Sequence, residues 1–130
     1  MSKPIYILYA DDDADDRLLL EEQFRAYPEY TFLSFENGLE LTRFLEAPPH
    51  GSIRLIILDV NMPKMGGFET LRVIRENPGL RDIAVAVFTT SKGPNDMREA
   101  EKYAAAYFVK PHTLALFEDA VRKMLEHAAR

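Results

Sequence analysis

Three short polar strings in this chain each follow directly on an apolar, β-prone run, and that repetition narrows the folds open to it. Ala10-Asp11-Asp12-Asp13 follows Ile5-Tyr6-Ile7-Leu8-Tyr9, Leu58-Asp59-Val60-Asn61-Met62-Pro63 ends the run that starts at Ile53, and Phe108-Val109-Lys110-Pro111 closes a run that starts at Tyr107. In an open parallel sheet, the residues just past the C-terminal strand ends gather in one crevice, where such sheets bind and react. Three carboxylates and one ammonium, far apart in sequence, are therefore expected to meet. Crowded carboxylates repel one another unless a cation joins them. An all-oxygen cluster of this kind suits Mg²⁺.

The rest of the chain supplies the alternation that a parallel sheet needs. Strands are predicted at Pro4–Ala10, Tyr30–Phe35, Ile53–Leu58, Ile83–Phe88 and Ala105–Val109. Between them, helical spacing is predicted over Ala14–Tyr27 (Leu20, Phe24 and Tyr27 inward), from Asn37-Gly38 with Leu41, Phe44 and Leu45, and after Gly66-Gly67 with Phe68, Leu71 and Ile74. A weakly amphipathic helix is predicted over Pro94–Ala104 and a final one over Thr113–Ala128, with Phe117, Val121, Met124 and Leu125 inward. Ala47-Pro48-Pro49-His50-Gly51-Ser52 reads as a loop rich in breakers. Ile53–Leu58 has no polar face, as expected of a central parallel strand. Five βα units imply one α/β domain over residues 1–130, with helices on both faces of the sheet.

Composition excludes several classes. The chain has 130 residues, 47% of them apolar, enough for a real core in one domain. It contains no cysteine, which removes disulfides and thiolate metal sites. No apolar stretch approaches the ~20 residues that span a bilayer. The N-terminus, Met1-Ser2-Lys3-Pro4, lacks a signal-peptide core, so the expected location is the cytoplasm. A net charge of −5 argues against direct nucleic-acid binding.

The residues together resemble a bacterial two-component response-regulator receiver domain of the stand-alone, CheY-like type, over essentially the whole chain. The acidic pair, the Asp-x-x-Met-Pro string, a Thr after the fourth strand and a Lys-Pro after the fifth occur in order. The resemblance implies a flavodoxin-like, doubly wound (βα)5 fold with strand order 2-1-3-4-5. It implies that Asp59 is the phosphoacceptor, forming an acyl phosphate, and that Lys110 pairs first with Asp59 and then with the phosphoryl oxygens. Asp11 and Asp12 match the metal-binding pair, with Asp12 expected to ligate more directly than Asp11, and Asn61 matches a position that offers its backbone carbonyl to the metal. Asp13, Asp15 and Asp16 are assigned instead to the start of the first helix, where acidic groups favour the dipole. Thr89 matches the hydroxyl that meets the phosphoryl group, with Thr90 adjoining as a second hydroxyl. Tyr107 matches the switch aromatic. The resemblance also implies a cis bond at Lys110-Pro111. Gly66 departs from a place often acidic in relatives, and His112 from one often aromatic. His50, His112 and His127 have no metal or triad spacing and are expected at the surface.

The implied function is a switch rather than a metabolic enzyme. A sensor histidine kinase or a histidine phosphotransfer protein would phosphorylate Asp59 with Mg²⁺ bound. The face of the fourth helix, fifth strand and fifth helix would then bind a downstream protein or form a homodimer. A haloacid-dehalogenase-type Mg²⁺ phosphatase also uses a strand-end aspartate, but it needs an acid two residues later, where this chain has Asn61. A phosphorylation-independent binding module is the other alternative. Such receivers usually lack one or more of the five site residues, and all five are present here.

Overall fold

The computed structural model describes residues 3–47 and 51–129. Pro48, Pro49 and His50 of the predicted loop, and Met1 and Ser2, lie outside the described residues. The five strands are β1 (Ile5–Ala10), β2 (Thr31–Phe35), β3 (Ser52–Leu58), β4 (Val85–Thr89) and β5 (Ala106–Val109). They alternate with α1 (Ala14–Phe24), α2 (Gly38–Glu46), α3 (Gly67–Glu76), α4 (Pro94–Lys102) and α5 (Leu114–Ala128). All pairings are parallel and the order is β2-β1-β3-β4-β5, the flavodoxin-like arrangement.

Alternation along the central strands divides the core in two. Ile7, Tyr9, Leu55, Ile57, Ala86 and Phe88 face one side, where Leu20 and Phe24 of α1 and Phe117, Val121 and Met124 of α5 cover them. Leu8, Ala10, Ile56, Leu58 and Val85 face the other, under Leu41 and Leu45 of α2 and Leu71 and Ile74 of α3. The inner parts of the central strands, such as Leu55-Ile56-Ile57-Leu58 of β3, are apolar on both sides because both faces are covered there.

Element ends differ from the sequence expectation for local reasons. α1 stops at Phe24 rather than Tyr27, because the chain tightens ahead of Pro28: the Arg25, Ala26 and Tyr27 N–H groups all bond three residues back. Tyr27 still packs on Phe24, with ring centroids 6.0 Å apart. β4 starts at Val85, not Ile83, since the Ile83 N–H closes a turn on Leu80 O. α4 ends at Lys102, and Ala104 adopts a left-handed φ of 56°. Among α4 residues only Ala100 is buried, consistent with its weak apolar face. Its C-terminal end is nonetheless pinned. Arg75 of α3 donates to Tyr103 O at 2.7 Å and Ala104 O at 3.2 Å, and to Ile83 O at 2.6 Å and Arg81 O at 3.0 Å.

Candidate functional site

The site forms where the strand ladders run one step past their ends. The Asp11 N–H donates to Phe35 O at 3.0 Å, the Asp59 N–H to Ala10 O at 3.0 Å and the Lys110 N–H to Thr89 O at 2.7 Å. These bonds fix the backbone from which each functional side chain leaves. Asp11 is fully buried, and Asp59 and Lys110 are each 8% exposed. Oxygens of Asp11, Asp12 and Asp59 lie within 4.8 Å of one another, the convergence expected from the sequence.

Lys110 holds the cluster together, though not mainly through Asp59. Its Nζ donates to Asp11 Oδ2 and to Asp16 Oδ2, each at 2.7 Å, and to Asp59 Oδ2 at 3.2 Å. The assignment of Asp16 to the helix start is thus incomplete. Asp13 does that work: its side chain accepts from the Asp15 and Asp16 N–H groups and caps α1. Asp11 is saturated further, because Oδ1 accepts from the Asp13 N–H at 2.9 Å and Oδ2 from the buried Tyr9 hydroxyl. Asp12 is exposed and keeps its carboxylate open towards solvent.

Electrostatics follow from this crowding. Burial, then repulsion from Asp11, raises the Asp59 pKa above the ordinary carboxylate value, against the opposing pull of Lys110 and the Val60 N–H. Burial draws the Lys110 pKa down, but its bonds to Asp11 and Asp16 outweigh that, and the net shift is upward. Burial and the Asp11 charge also push the Tyr9 phenol up, so it remains a donor. Lys110 is bonded to three of four clustered carboxylates, Asp11, Asp12, Asp16 and Asp59, and even with the Arg17 guanidinium 2.7 Å from the Asp11 carbonyl the acids outnumber the cations. The all-oxygen donor set and its uncompensated negative charge fit a hard divalent cation.

Thr89 ends β4 almost fully buried, while Thr90 is exposed. The adjoining Thr90 therefore lies on the outside, and Thr89, the better match in the sequence, on the interior side. Its hydroxyl accepts from the Ser91 N–H at 3.3 Å. Tyr107 is partly buried and donates to Ser91 O at 2.7 Å, tying β5 to the loop before α4. Asn61 is exposed in the loop after β3. That loop turns through Lys64, at φ 67°, and reaches α3 at Gly67, where a Cβ would stand 2.1 Å from Asp59 O. Gly66 opens α3 without a side-chain cap.

Two expectations are corrected. The described residues contain no cis peptide bond, so Lys110-Pro111 is trans. The lysine is aimed instead by its three carboxylate partners, and the trans form is the preferred one for an X-Pro bond. His127 is not a freely solvated side chain: its Nε2 is buried without a hydrogen-bond partner, between α5 and the β5 edge. His112 is exposed as expected. Tyr9 and Asp16 are the site residues that sequence reasoning missed.

A doubly wound sheet with a carboxylate cluster and a buried lysine at its C-terminal edge defines a class, the α/β proteins with an acidic, cation-ready site at their strand ends. Comparison with known proteins agrees: the family described as response regulator receiver domain matches residues 7–122. The response regulator Rcp1 of Synechocystis sp. is 32% identical over 117 residues, covering 85% of this chain and 78% of that protein. The crystal structure of the phosphorylated cyanobacterial phytochrome response regulator RcpA superposes with a TM-score of 0.82 at 26% identity, over 97% of this chain and 94% of that one. The Mn²⁺-bound form of Rcp1 superposes at 0.80 with 28% identity, over 95% and 91%. This chain belongs to the response regulator receiver domain family. It is a phosphorylation-activated switch of two-component signalling, a signalling protein and not a metabolic enzyme.

Proposed function

We propose that Asp59 accepts the phosphoryl group, from a sensor histidine kinase or a histidine phosphotransfer protein, with Mg²⁺ held by Asp11, Asp12, Asp59 and the Asn61 carbonyl. The observation that carries this reading is the convergence of the Asp11, Asp12 and Asp59 oxygens beside the Lys110 ammonium at the end of β3. An Asp59 oxygen would bond to phosphorus as the P–N bond of a donor phosphohistidine breaks and the imidazole leaves. Asp59 Oδ1 already accepts from the Val60 N–H at 2.8 Å, which orients the carboxylate. Lys110 then carries positive charge to the transferring oxygens. The cation, when bound, neutralises the carboxylates and the incoming phosphoryl charge. The capture of a relative, Rcp1, with Mn²⁺ supports a divalent ion here.

The reading extends to output. Thr89 would donate to a phosphoryl oxygen, and Tyr107 would exchange its bond to Ser91 O for a more inward position. That exchange alters the α4–β5–α5 face, where a groove of about 500 Å³ is lined by Met97, Glu101, Ala105, Tyr107, Val109 and His127. A downstream protein or a second copy of the chain would bind there. Incubation with acetyl phosphate and Mg²⁺ tests the central assignment: mass spectrometry is expected to find one phosphoryl group, labile to hydroxylamine. Stoichiometric labelling of Asp59→Asn would overturn it.

A further inference from the structure

The geometry points to Asp16 as a positioning residue for Lys110, outside the five positions to which the receiver chemistry is assigned. This inference rests on the reading of Asp59 as phosphoacceptor and adds a fourth carboxylate to its surroundings. Asp16 is not needed to cap α1, because Asp13 accepts from the first free N–H groups. Its Oδ2 takes a proton of Lys110 Nζ at 2.7 Å instead. That bond equals the one to Asp11 and is shorter than the 3.2 Å bond to Asp59.

An ammonium has three protons to donate. Here all three go to carboxylates from three separate parts of the chain: the β1 end, the first turn of α1 and the β3 end. The two short bonds come from the residues that do not react, and the long one from the residue that does. When Asp59 becomes an acyl phosphate, Nζ needs to redirect only the proton it shares with Asp59 Oδ2. Asp11 and Asp16 keep the head group where the phosphoryl oxygens arrive. A donor already fixed in place needs no reorganisation as charge develops. With Asp16 removed, the ammonium at the end of its flexible stem would keep Asp11 as its one short bond beside the longer bond to Asp59, and its third proton would turn to water. The Asp16 side chain is 24% exposed against 8% for Lys110, so solvent stands ready on that side.

The test compares wild type with Asp16→Asn, Asp16→Glu and Asp15→Asn, the last an exposed acid of the same helical turn. With acetyl phosphate and saturating Mg²⁺, Asp16→Asn is expected to lower the maximal rate of phosphorylation by about tenfold, the scale of one charge-assisted hydrogen bond. Mg²⁺ affinity by calorimetry is expected to stay within about twofold, since Asp16 is not among the converging metal oxygens. Asp16→Glu should recover part of the rate, and Asp15→Asn should match wild type. In the unphosphorylated protein, ¹⁵N NMR of the Lys110 ammonium should find its protons exchanging faster with water in Asp16→Asn. An unchanged rate together with an unchanged ammonium signal would overturn the proposal. So would a large loss of Mg²⁺ affinity, which would make Asp16 a metal ligand. A wild-type protein that takes no phosphoryl group would overturn the phosphoacceptor reading separately, and the ammonium exchange would still report whether Asp16 holds Lys110.

Discussion

Tyr9 and Lys110 donate to the same oxygen, Asp11 Oδ2, from opposite ends of the chain. One donor is a neutral phenol in the α1–α5 core and the other a cation at the rim of the site. Asp11 is thereby buried without being left unpaired, which is the condition for keeping a carboxylate inside.

Tyr9→Phe is expected to keep the packing of the ring, whose neighbours Phe32 and Phe88 lie 6.3 and 6.4 Å away, and to remove only the hydroxyl. Asp11 then loses one of its donors. Urea unfolding should give a stability lower by about 1–2 kcal/mol with an unchanged slope.

Asp59→Asn is expected to stabilise the metal-free protein at neutral pH. The folded protein raises the Asp59 pKa, so folding favours its protonated form. Its penalty is absent below the ordinary value near ~3.9 and develops as pH rises from there through the folded value. Thermal melts of both proteins should coincide most nearly at acid pH and separate towards pH 7, the variant melting higher. Equal separation at every pH would contradict the assignment.

Lys110→Met is expected to cost about 3 kcal/mol without added metal, since it strands buried carboxylates with no cation. The upward shift of the Lys110 pKa means that its contribution is complete at neutral pH and is lost only as pH climbs past its ordinary value near ~10.4. Millimolar Mg²⁺ should return much of the lost melting temperature. No recovery with Mg²⁺ would argue against cation binding at these carboxylates.

Gly67→Ala is expected to destabilise by about 2–3 kcal/mol, because its Cβ would meet the backbone of Asp59 at 2.1 and 2.9 Å, where nothing flexible can yield. Gly79→Ala, with its nearest neighbour at 3.4 Å, is the control and should change stability by less than about 0.5 kcal/mol. Differential scanning calorimetry distinguishes the two.

What the sequence revealed depended on whether the signal was local. Ile53–Leu58 announced a central strand because Leu55-Ile56-Ile57-Leu58 leaves neither face polar past the exposed Arg54, and the acids at its end followed from chain order alone. Asp13 as a helix cap was equally local. The Lys110–Asp16 bond was not: the two residues lie 94 positions apart, and helix-dipole chemistry already offered an adequate reason for an acid at that place. Tyr9 was hidden by its own run, where a tyrosine among isoleucines and leucines reads as β-prone bulk and nothing marks its hydroxyl as directed at Asp11. The trans Lys110-Pro111 bond came out differently because proline only permits the cis form.

Arg75 gives α4 a mechanical character. With the carbonyls of Tyr103 and Ala104 gripped and its opposite end opening at Pro94 without a side-chain cap, the helix is a lever with its fulcrum at the C-terminus. Nine residues make an arm of about 13 Å, so a tilt of only about 10° carries the Pro94 end about 2 Å while the far end barely stirs. The other end lies beside Ser91, whose hydroxyl donates to Asp96 of the first helical turn at 2.7 Å and whose carbonyl the Tyr107 hydroxyl holds. Because Ser91 is bonded to Asp96, releasing its carbonyl from Tyr107 would be passed to α4 as rotation, and a partner gripping the Pro94 end would feel far more of it than one gripping Lys102.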